Sequence, residues 1–243
     1  MVIALTDVWK SFDGEPVLQG LTMRIPKGMN YVIMGRSGCG KSVTLRHIIG
    51  ILRPDQGSVV VDGLEVPELN RKSLAELRKR MGYLFQNGAL INWLSVFDNI
   101  ALPLREHASA SPSEIRDQVM DVLQVVGMEQ DADKIPPEIS GGMRLRAGLA
   151  RALVTEPEYV LYDEPNAGLD PIIAEQIHGL IVEVRDRLGV TGLIVTHSQA
   201  CARTVGDRIG IMNEGRIVEE GTVEEMEASP TSLVRSFLSS YAD

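Results

Sequence analysis

One glycine-rich stretch reads Gly35-Arg36-Ser37-Gly38-Cys39-Gly40-Lys41-Ser42 and fits the pattern G-x-x-x-x-G-K-[ST]. The apolar run Tyr31-Val32-Ile33-Met34 before it predicts a short buried strand, and the spacing of the apolar residues after it predicts a helix from about Lys41. Glycines in such a loop let backbone N–H groups turn onto phosphate oxygens, and the helix adds the positive end of its dipole. Lys41 would reach the β- and γ-phosphates, while the Ser42 hydroxyl would ligate Mg²⁺. The stretch therefore predicts a phosphate-binding loop between a strand and a helix.

A pair of acidic residues ends a second apolar run, Val160-Leu161-Tyr162-Asp163-Glu164. Ligands of open α/β sheets bind at the carboxyl edge of the strands, so we expect both carboxylates to lie beside the phosphate-binding loop. There Asp163 would hold Mg²⁺, usually through water. Glu164 would polarise an attacking water as general base. An acid pair at a strand end is common by itself, but together with the loop it predicts nucleotide hydrolysis.

The rest of the chain reads as an alternation of strands and helices. The first third predicts strands and tight turns, among them a hairpin that turns at Asp62-Gly63. The middle predicts helices, with a capping box at 111–114 and a second helix that starts near Ser140. In the last third, continuous apolar runs such as Leu193-Ile194-Val195 indicate central parallel strands covered on both faces, and a hairpin at about 209–219 closes the sheet.

The expected fold class is therefore α/β. We predict a phosphate-loop core with a mostly parallel sheet, an N-terminal antiparallel β part and a helical insert at about 87–158. This single domain would span residues 1–220, and an acidic tail would follow at 221–243.

Composition agrees with a globular protein and narrows its partners. The 243 residues are 44% hydrophobic and 23% charged, and two cysteines exclude a disulfide framework. The net charge of −9 opposes a nucleic-acid partner, which would need a basic surface. No apolar run approaches the roughly 18–20 residues of a membrane span, and the N-terminal residues lack the basic region of a signal peptide.

A third motif carries a family resemblance. The run Ile139-Ser140-Gly141-Gly142-Met143 resembles the LSGGQ signature of ATP-binding cassette (ABC) ATPases. Other family motifs are matched in order along nearly the whole chain: the Q-loop glutamine by Gln86, the D-loop by Gly168-Leu169-Asp170, the switch histidine by His197 and the adenine-stacking aromatic by Phe12. Ile139 and Met143 depart from the common signature, but Ser140, Gly141 and Gly142 remain, so hydrolysis should survive.

The resemblance implies an ATPase that uses Mg²⁺ and acts as a head-to-tail homodimer. Ser140 and the helix after it would cap the γ-phosphate of ATP held by the opposite subunit, so that two chains sandwich two nucleotides. His197 would hydrogen-bond the γ-phosphate and orient water, and Gln86 would sense the metal and the water. The catalytic set would be Lys41, Gln86, Glu164 and His197, and the metal set would be Ser42, Gln86 and Asp163. The nucleotide-binding set would be Phe12, Gly35, Arg36, Ser37, Gly38, Cys39, Gly40, Lys41, Ser42, Ser140, Gly141, Gly142 and Asp170.

Some of these residues have plainer interpretations. Phe12 could be part of the core, as aromatic residues usually are. Cys39 could be only a small loop residue, although a helix N-terminus can lower a thiol pKa. His47, His107 and His178 show no paired spacing, so we expect no metal role beyond Mg²⁺.

A narrower resemblance concerns the transported substance. Met143, the run Phe85-Gln86-Asn87-Gly88-Ala89-Leu90 and the run Val96-Phe97-Asp98-Asn99-Ile100 are similar to the ATPases of Mla and Mce-associated lipid transporters. That similarity implies membrane permease subunits, lipid-binding and small accessory subunits, and a peripheral position on the cytoplasmic face of the inner membrane. The apolar stretch at 90–97 is either core of the helical insert or a groove for such a partner.

Three other functions remain open at this point. The chain could energise the transport of another solute. It could be a non-transport ABC protein acting on nucleic acid or ribosomes, although it has neither a second cassette nor a long coiled-coil insert. A phosphate-loop kinase or GTPase is the third, but the guanine-binding motif Asn-Lys-x-Asp is absent and Ser140–Met143 would be unexplained.

Overall fold

The computed structural model describes residues 3–107 and 111–238, with the side chain of His107 and tail residues 239–243 outside the described part. The strands are β1 Ile3–Phe12, β2 Glu15–Ile25, β3 Asn30–Gly35, β4 Gln56–Val61, β5 Leu64–Glu65, β6 Met81–Leu84, β7 Tyr159–Asp163, β8 Thr191–Thr196, β9 Arg208–Asn213 and β10 Arg216–Gly221. The helices are α1 Lys41–Ile48, α2 Arg71–Lys79, α3 Val96–His107, α4 Pro112–Val126, α5 Gly141–Leu153, α6 Pro171–Leu188, α7 Gln199–Val205, α8 Val223–Glu227 and α9 Ser232–Leu238.

The strands form two sheets. A six-stranded sheet has the order β10-β9-β3-β8-β7-β6. Its neighbours pair in parallel except for the closing hairpin β9–β10. A four-stranded sheet of order β2-β1-β4-β5 is antiparallel and includes the predicted hairpin at Asp62-Gly63. The predicted fold class, mostly parallel with an antiparallel N-terminal part, is confirmed.

The large sheet is covered on both faces because its strands alternate between two cores. Tyr31 and Ile33 of β3 pack towards the four-stranded sheet and α1, in the first core. Val32 and Met34, the alternate residues, pack among side chains of α5, α6 and α7, in the second core. This period-two alternation explains why β3, β7 and β8 read as continuous apolar runs.

The middle of the chain forms a helical lobe with a core of its own. Apolar side chains of α3, α4 and α5 meet there, among them Ile100, Val119 and Leu123. The predicted capping box is present: the Ser111 hydroxyl accepts from the Glu114 N–H at 3.3 Å, and the Glu114 carboxylate accepts from the Ser111 N–H at 2.6 Å. Helices α3 to α5 all lie within the expected insert at about 87–158, whose limits stay a prediction.

The described part of the expected tail packs against the large sheet. Met226, Val234 and Leu238 are buried in the second core. Arg203 of α7 pairs with Glu227 at 3.0 Å and donates to the Leu238 carbonyl at 2.7 Å. Residues 221–238 are therefore an integral layer of the structure. No helix in the described ranges combines the length and the apolar character of a membrane span.

Candidate functional site

The phosphate-binding loop joins the end of β3 to the start of α1, as predicted. Gly38 and Gly40 adopt φ angles of +82° and +108°, which favour glycine. A Cβ atom at Gly40 would lie 2.7 Å from Leu18 Cδ2 and 3.1 Å from the Val17 carbonyl oxygen. No side chain caps the N-terminus of α1. The first N–H groups of this helix are therefore free of a capping side chain and suit an anion.

Lys41 is folded into this loop. Its side chain is buried, with the residue 5% exposed, and Nζ donates to the carbonyl oxygens of Gly35 at 2.8 Å and Arg36 at 3.2 Å. The Glu164 Oε1 atom lies 3.4 Å from the same nitrogen. A buried ammonium needs such partners. The cation is thus held at the mouth of the loop, where phosphate oxygens can replace its present acceptors.

Oxygen ligands for a metal meet at the carboxyl edge of the sheet. The Ser42 hydroxyl donates to Asp163 Oδ1 at 2.7 Å, and Gln86 lines a cavity together with Ser42. No group of three or more His, Cys, Asp or Glu side chains in the described ranges could hold a metal ion. A hydroxyl, a carboxylate and an amide oxygen beside a phosphate site nevertheless fit Mg²⁺, which takes few protein ligands together with substrate phosphates and water.

Glu164 is held rigidly beside the loop. Its backbone has φ +50° and its N–H donates to the Val195 carbonyl at 2.9 Å. The carboxylate atom Oε2 accepts from the His197 N–H at 3.2 Å and lies 2.9 Å from His197 Nδ1. Since Oε1 faces Lys41, the carboxylate is fixed on both sides. A fixed carboxylate facing the cavity can act as the general base that the sequence predicts.

One cavity of about 300 Å³ brings these groups together. It is lined by Val17, Ser37, Gly38, Gly40, Lys41, Ser42, Val43, Gln86, Glu164 and His197. All four predicted catalytic residues are therefore neighbours. Val17 and Val43 also line the cavity and were not predicted: no motif includes Val17, which reaches the cavity beside Gly40, and Val43 follows the last residue of the phosphate-loop pattern.

Phe12 lies apart from the cavity lining. It is 39% exposed, which excludes the alternative that it belongs to the core. The Lys10 ammonium lies 5.6 Å from the centre of its ring. The side chain is therefore accessible at the surface, and the adenine contact stays a prediction.

Ser140 and Asp170 also lie outside the cavity. Each caps a helix: the Ser140 hydroxyl accepts from the Met143 N–H at 3.3 Å, and Asp170 Oδ1 accepts from the Ile173 N–H at 3.1 Å. The first turns of α5 and α6 are packed together, since a Cβ atom at Gly142 would lie 2.5 Å from Ile173 Cγ2. Ser140 and Asp170 are themselves exposed, and neither lines the cavity beside the phosphate-binding loop.

Comparison with known proteins agrees with this geometry. The sequence profile of the ABC transporter family matches residues 18–167, which carry the phosphate-binding loop, Gln86, the Ser140 motif and the acid pair. The chain belongs to the ABC transporter family. It is an ATP-binding and ATP-hydrolysing cassette.

Two named relatives of this ABC cassette differ in substrate. The probable ribonucleotide transport ATP-binding protein mkl of Mycobacterium leprae is 45% identical over 98% of this chain and 69% of its own length. The intermembrane phospholipid transport system ATP-binding protein MlaF of Escherichia coli K12 is 38% identical over 100% of this chain and 90% of its own length.

A solved cassette also matches the fold. The dimeric post-hydrolysis state of the ATP-binding cassette MJ0796, bound to ADP and phosphate, superposes with a TM-score of 0.83 at 30% identity. The match covers 91% of this chain and 98% of that one.

The two cysteines of the cassette should react very differently with thiol reagents. Burial raises the pKa of the Cys39 thiol, against the opposing pull of Lys41, and raises that of fully buried Cys201 to about 12. Because the thiolate is the reactive form, labelling of Cys39 should be slow near neutrality and accelerate as pH rises towards and beyond 9. We expect it to inhibit ATP hydrolysis and MgATP to slow it. Mass spectrometry of labelled protein checks this, and unchanged inhibition of Cys39→Ala would assign the effect to Cys201.

Proposed function

We propose that the cassette works as a head-to-tail homodimer that closes around two MgATP and drives a membrane permease for phospholipid or a related lipid. The observation that carries the dimer is the separation of two halves of a site. The cavity with Lys41, Glu164 and His197 contains no residue of the Ser140 motif, and Ser140 and Gly141 lie exposed outside it. A second chain turned head to tail would bring the two halves together at two equivalent sites.

The exposed half has the chemistry of a γ-phosphate cap. Helix α5 begins at Gly141 and has no acidic residue in its first turn, so its N-terminus favours an anion. Ser42 and Asp163, with Gln86, would hold Mg²⁺, which when bound neutralises charge on the phosphates. His197 would orient water towards the γ-phosphate and Glu164 would take its proton.

The segment after Gln86 provides the contact with the permease. Trp93 is 83% exposed, whereas Val96 is buried and Phe97 packs on the core of the helical lobe. Of the two interpretations of the stretch at 90–97, core therefore applies to Val96 and Phe97, and partner surface remains open for Trp93. Asn99, fully buried, holds the loop: its Oδ1 accepts from the Ile91 N–H at 2.7 Å and its amide donates to the Ser95 carbonyl at 2.9 Å. An exposed tryptophan on a loop that is held by buried hydrogen bonds is the kind of residue that contributes most to a protein interface.

Lipid is favoured as the cargo by the relative named for phospholipid transport, which aligns with all of this chain, and by the motif similarity at 85–100. The cassette would then sit on the cytoplasmic face of the inner membrane beneath its permease, with lipid-binding and small accessory subunits. The relative named for ribonucleotide transport supports the second candidate, a transporter of another solute.

Replacing Trp93 with alanine should remove most of the cargo-dependent ATPase activity of the reconstituted complex. Docking lets cargo on the permease bias the open and closed states of the cassette, and a cargo shifts that equilibrium only through different affinity for the two states. The measurement is ATP hydrolysis of the complex in detergent solution, with and without added cargo. Leu188→Ala, at an exposed apolar residue on α6, is the control and should leave stimulation intact.

The cargo itself is decided in the same assay. Wild-type complex is compared with phospholipid, a ribonucleotide, an amino acid or no addition. We expect phospholipid alone to stimulate hydrolysis. Stimulation by a polar solute without stimulation by phospholipid would contradict lipid transport and leave the more general transporter function.

A further inference from the structure

Asp163 holds a hydrogen bond that none of the family motifs accounts for. The Tyr83 hydroxyl donates to Oδ2 at 3.0 Å, while the Ser42 hydroxyl donates to Oδ1 at 2.7 Å. Each carboxylate oxygen therefore has its own hydroxyl donor. Two donors at opposite oxygens fix the plane of the carboxylate, which one donor cannot do, since it leaves rotation about the side-chain bond.

The position of Tyr83 follows from strand pairing. Strand β6 pairs in parallel with β7, with Tyr83 opposite Leu161 and Leu84 opposite Tyr162. Side chains alternate between faces, so Tyr83 packs on the first core and Leu84 in the second. The half-buried Tyr83 ring can thus reach the carboxyl end of the neighbouring strand with its hydroxyl.

The ring of Tyr83 also contacts an exposed residue, Phe85. Its centre lies 4.3 Å from that of Phe85, and the two planes are tilted by 38°. Phe85 is 42% exposed and directly precedes Gln86. A group that presses on Phe85 would act on the ring whose hydroxyl holds Asp163, because the two rings are in direct contact.

We propose that Tyr83 is a positioning residue that fixes the Asp163 carboxylate for Mg²⁺ and ties this carboxylate to the exposed Phe85 ring. The inference rests on the proposed role of Asp163 in holding the metal. It adds a residue that neither the phosphate-binding loop nor the Ser140 motif includes. Through Tyr83, the Asp163 carboxylate is also connected to Phe85, the exposed residue that directly precedes Gln86.

The test is metal affinity of the nucleotide-loaded cassette, measured without turnover. Wild type and Tyr83→Phe are loaded with a non-hydrolysable ATP analogue and titrated with Mn²⁺, and free Mn²⁺ is followed by electron paramagnetic resonance. Phenylalanine keeps the ring and removes the donor to a charged acceptor, so the apparent Kd for Mn²⁺ should rise about tenfold. Binding of the analogue in excess chelator should stay within about twofold, since the N–H groups of the loop are unchanged.

Matched variants separate positioning from a general loss of structure. Tyr162 directly precedes Asp163, but its ring packs in the core on the other face of the large sheet from Tyr83. Tyr162→Phe removes the hydroxyl of this ring and should leave Mn²⁺ affinity unchanged. Phe85→Leu keeps the Tyr83 hydroxyl and removes the ring contact, and it should weaken Mn²⁺ binding in the same direction by a smaller factor. Tyr83→Met repeats the experiment with a flexible apolar side chain should the phenylalanine variant unfold.

The outcomes are distinct. Unchanged Mn²⁺ affinity in folded Tyr83→Phe overturns the positioning role, and unchanged affinity in Phe85→Leu overturns the tie to the surface. Asp163→Asn is measured alongside. If this variant also binds Mn²⁺ normally, the fault lies in the metal role proposed for Asp163, whereas weakened binding by Asp163→Asn alone refutes only the inference about Tyr83.

Discussion

Glu164→Gln should bind ATP but hydrolyse it at least about 100-fold more slowly than wild type, the usual scale for losing a general base. The amide has nearly the shape of the carboxylate and can still accept from the His197 N–H, which now lies 3.2 Å from Oε2. It cannot take a proton from water. With ATP bound and not consumed, the closed dimer should accumulate, and size-exclusion chromatography with ATP and Mg²⁺ measures it together with the rate of phosphate release.

A second glutamate provides the control for this variant. Glu156 also has φ +50° but is exposed on the turn before β7, away from the cavity. Glu156→Gln therefore makes the same chemical change at the same φ angle, and its rate should match wild type. Near-normal hydrolysis by Glu164→Gln would remove this residue from the base role, and equal slowing of both variants would point to a structural effect.

Local sequence signals were sufficient for much of the fold. The capping box at Ser111 and the left-handed Gly127 that ends α4 at φ +65° depend on neighbouring residues only. The same holds for the turn at Asp62-Gly63, where both residues have positive φ. The packing of the C-terminal helices was not predictable in this way. The contacts of Met226 and Leu238 join them to parts of the chain far away in sequence, and the amphipathic pattern names no partner.

The same difference between local signals and long-range contacts applies to the residues of the candidate site. Residues fixed by a motif, such as Lys41 and Glu164, were placed correctly beside one cavity because strand ends share one edge of the sheet. Tyr83 was missed, since its contact with Asp163 spans 80 positions and depends on which strand lies next to β7. The sequence left the stretch at 90–97 open between core and docking surface. Phe97 lies half-buried on the core side, because residues three or four apart on α3 share a face and its own face meets the lobe core.

Mixing two inactive variants should restore activity if Ser140 acts across the dimer. Lys41→Ala removes the cation of the loop and Ser140→Arg blocks the cap, and each alone should lose at least about 100-fold in rate, as expected for removing a group that stabilises transition-state charge. In a mixed dimer one composite site carries both changes and the other carries none. An equimolar mixture should recover about a quarter of the wild-type rate, because about half of randomly paired dimers are mixed and each has one intact site of two.

A mixture of Lys41→Ala with Glu164→Gln is the matched control for this complementation. Both residues line the same cavity of one chain, so every site in such a mixed dimer has one defect and no activity should return. Single-turnover cleavage of bound ATP accompanies the steady-state rate, since it does not require the second site to cycle. Thermal unfolding shows whether Ser140→Arg folds, because losing the cap of α5 costs about 1 kcal/mol. Recovery in both mixtures would indicate subunit exchange or contamination, while recovery in neither, with mixed dimers present, would place Ser140 outside the partner's site.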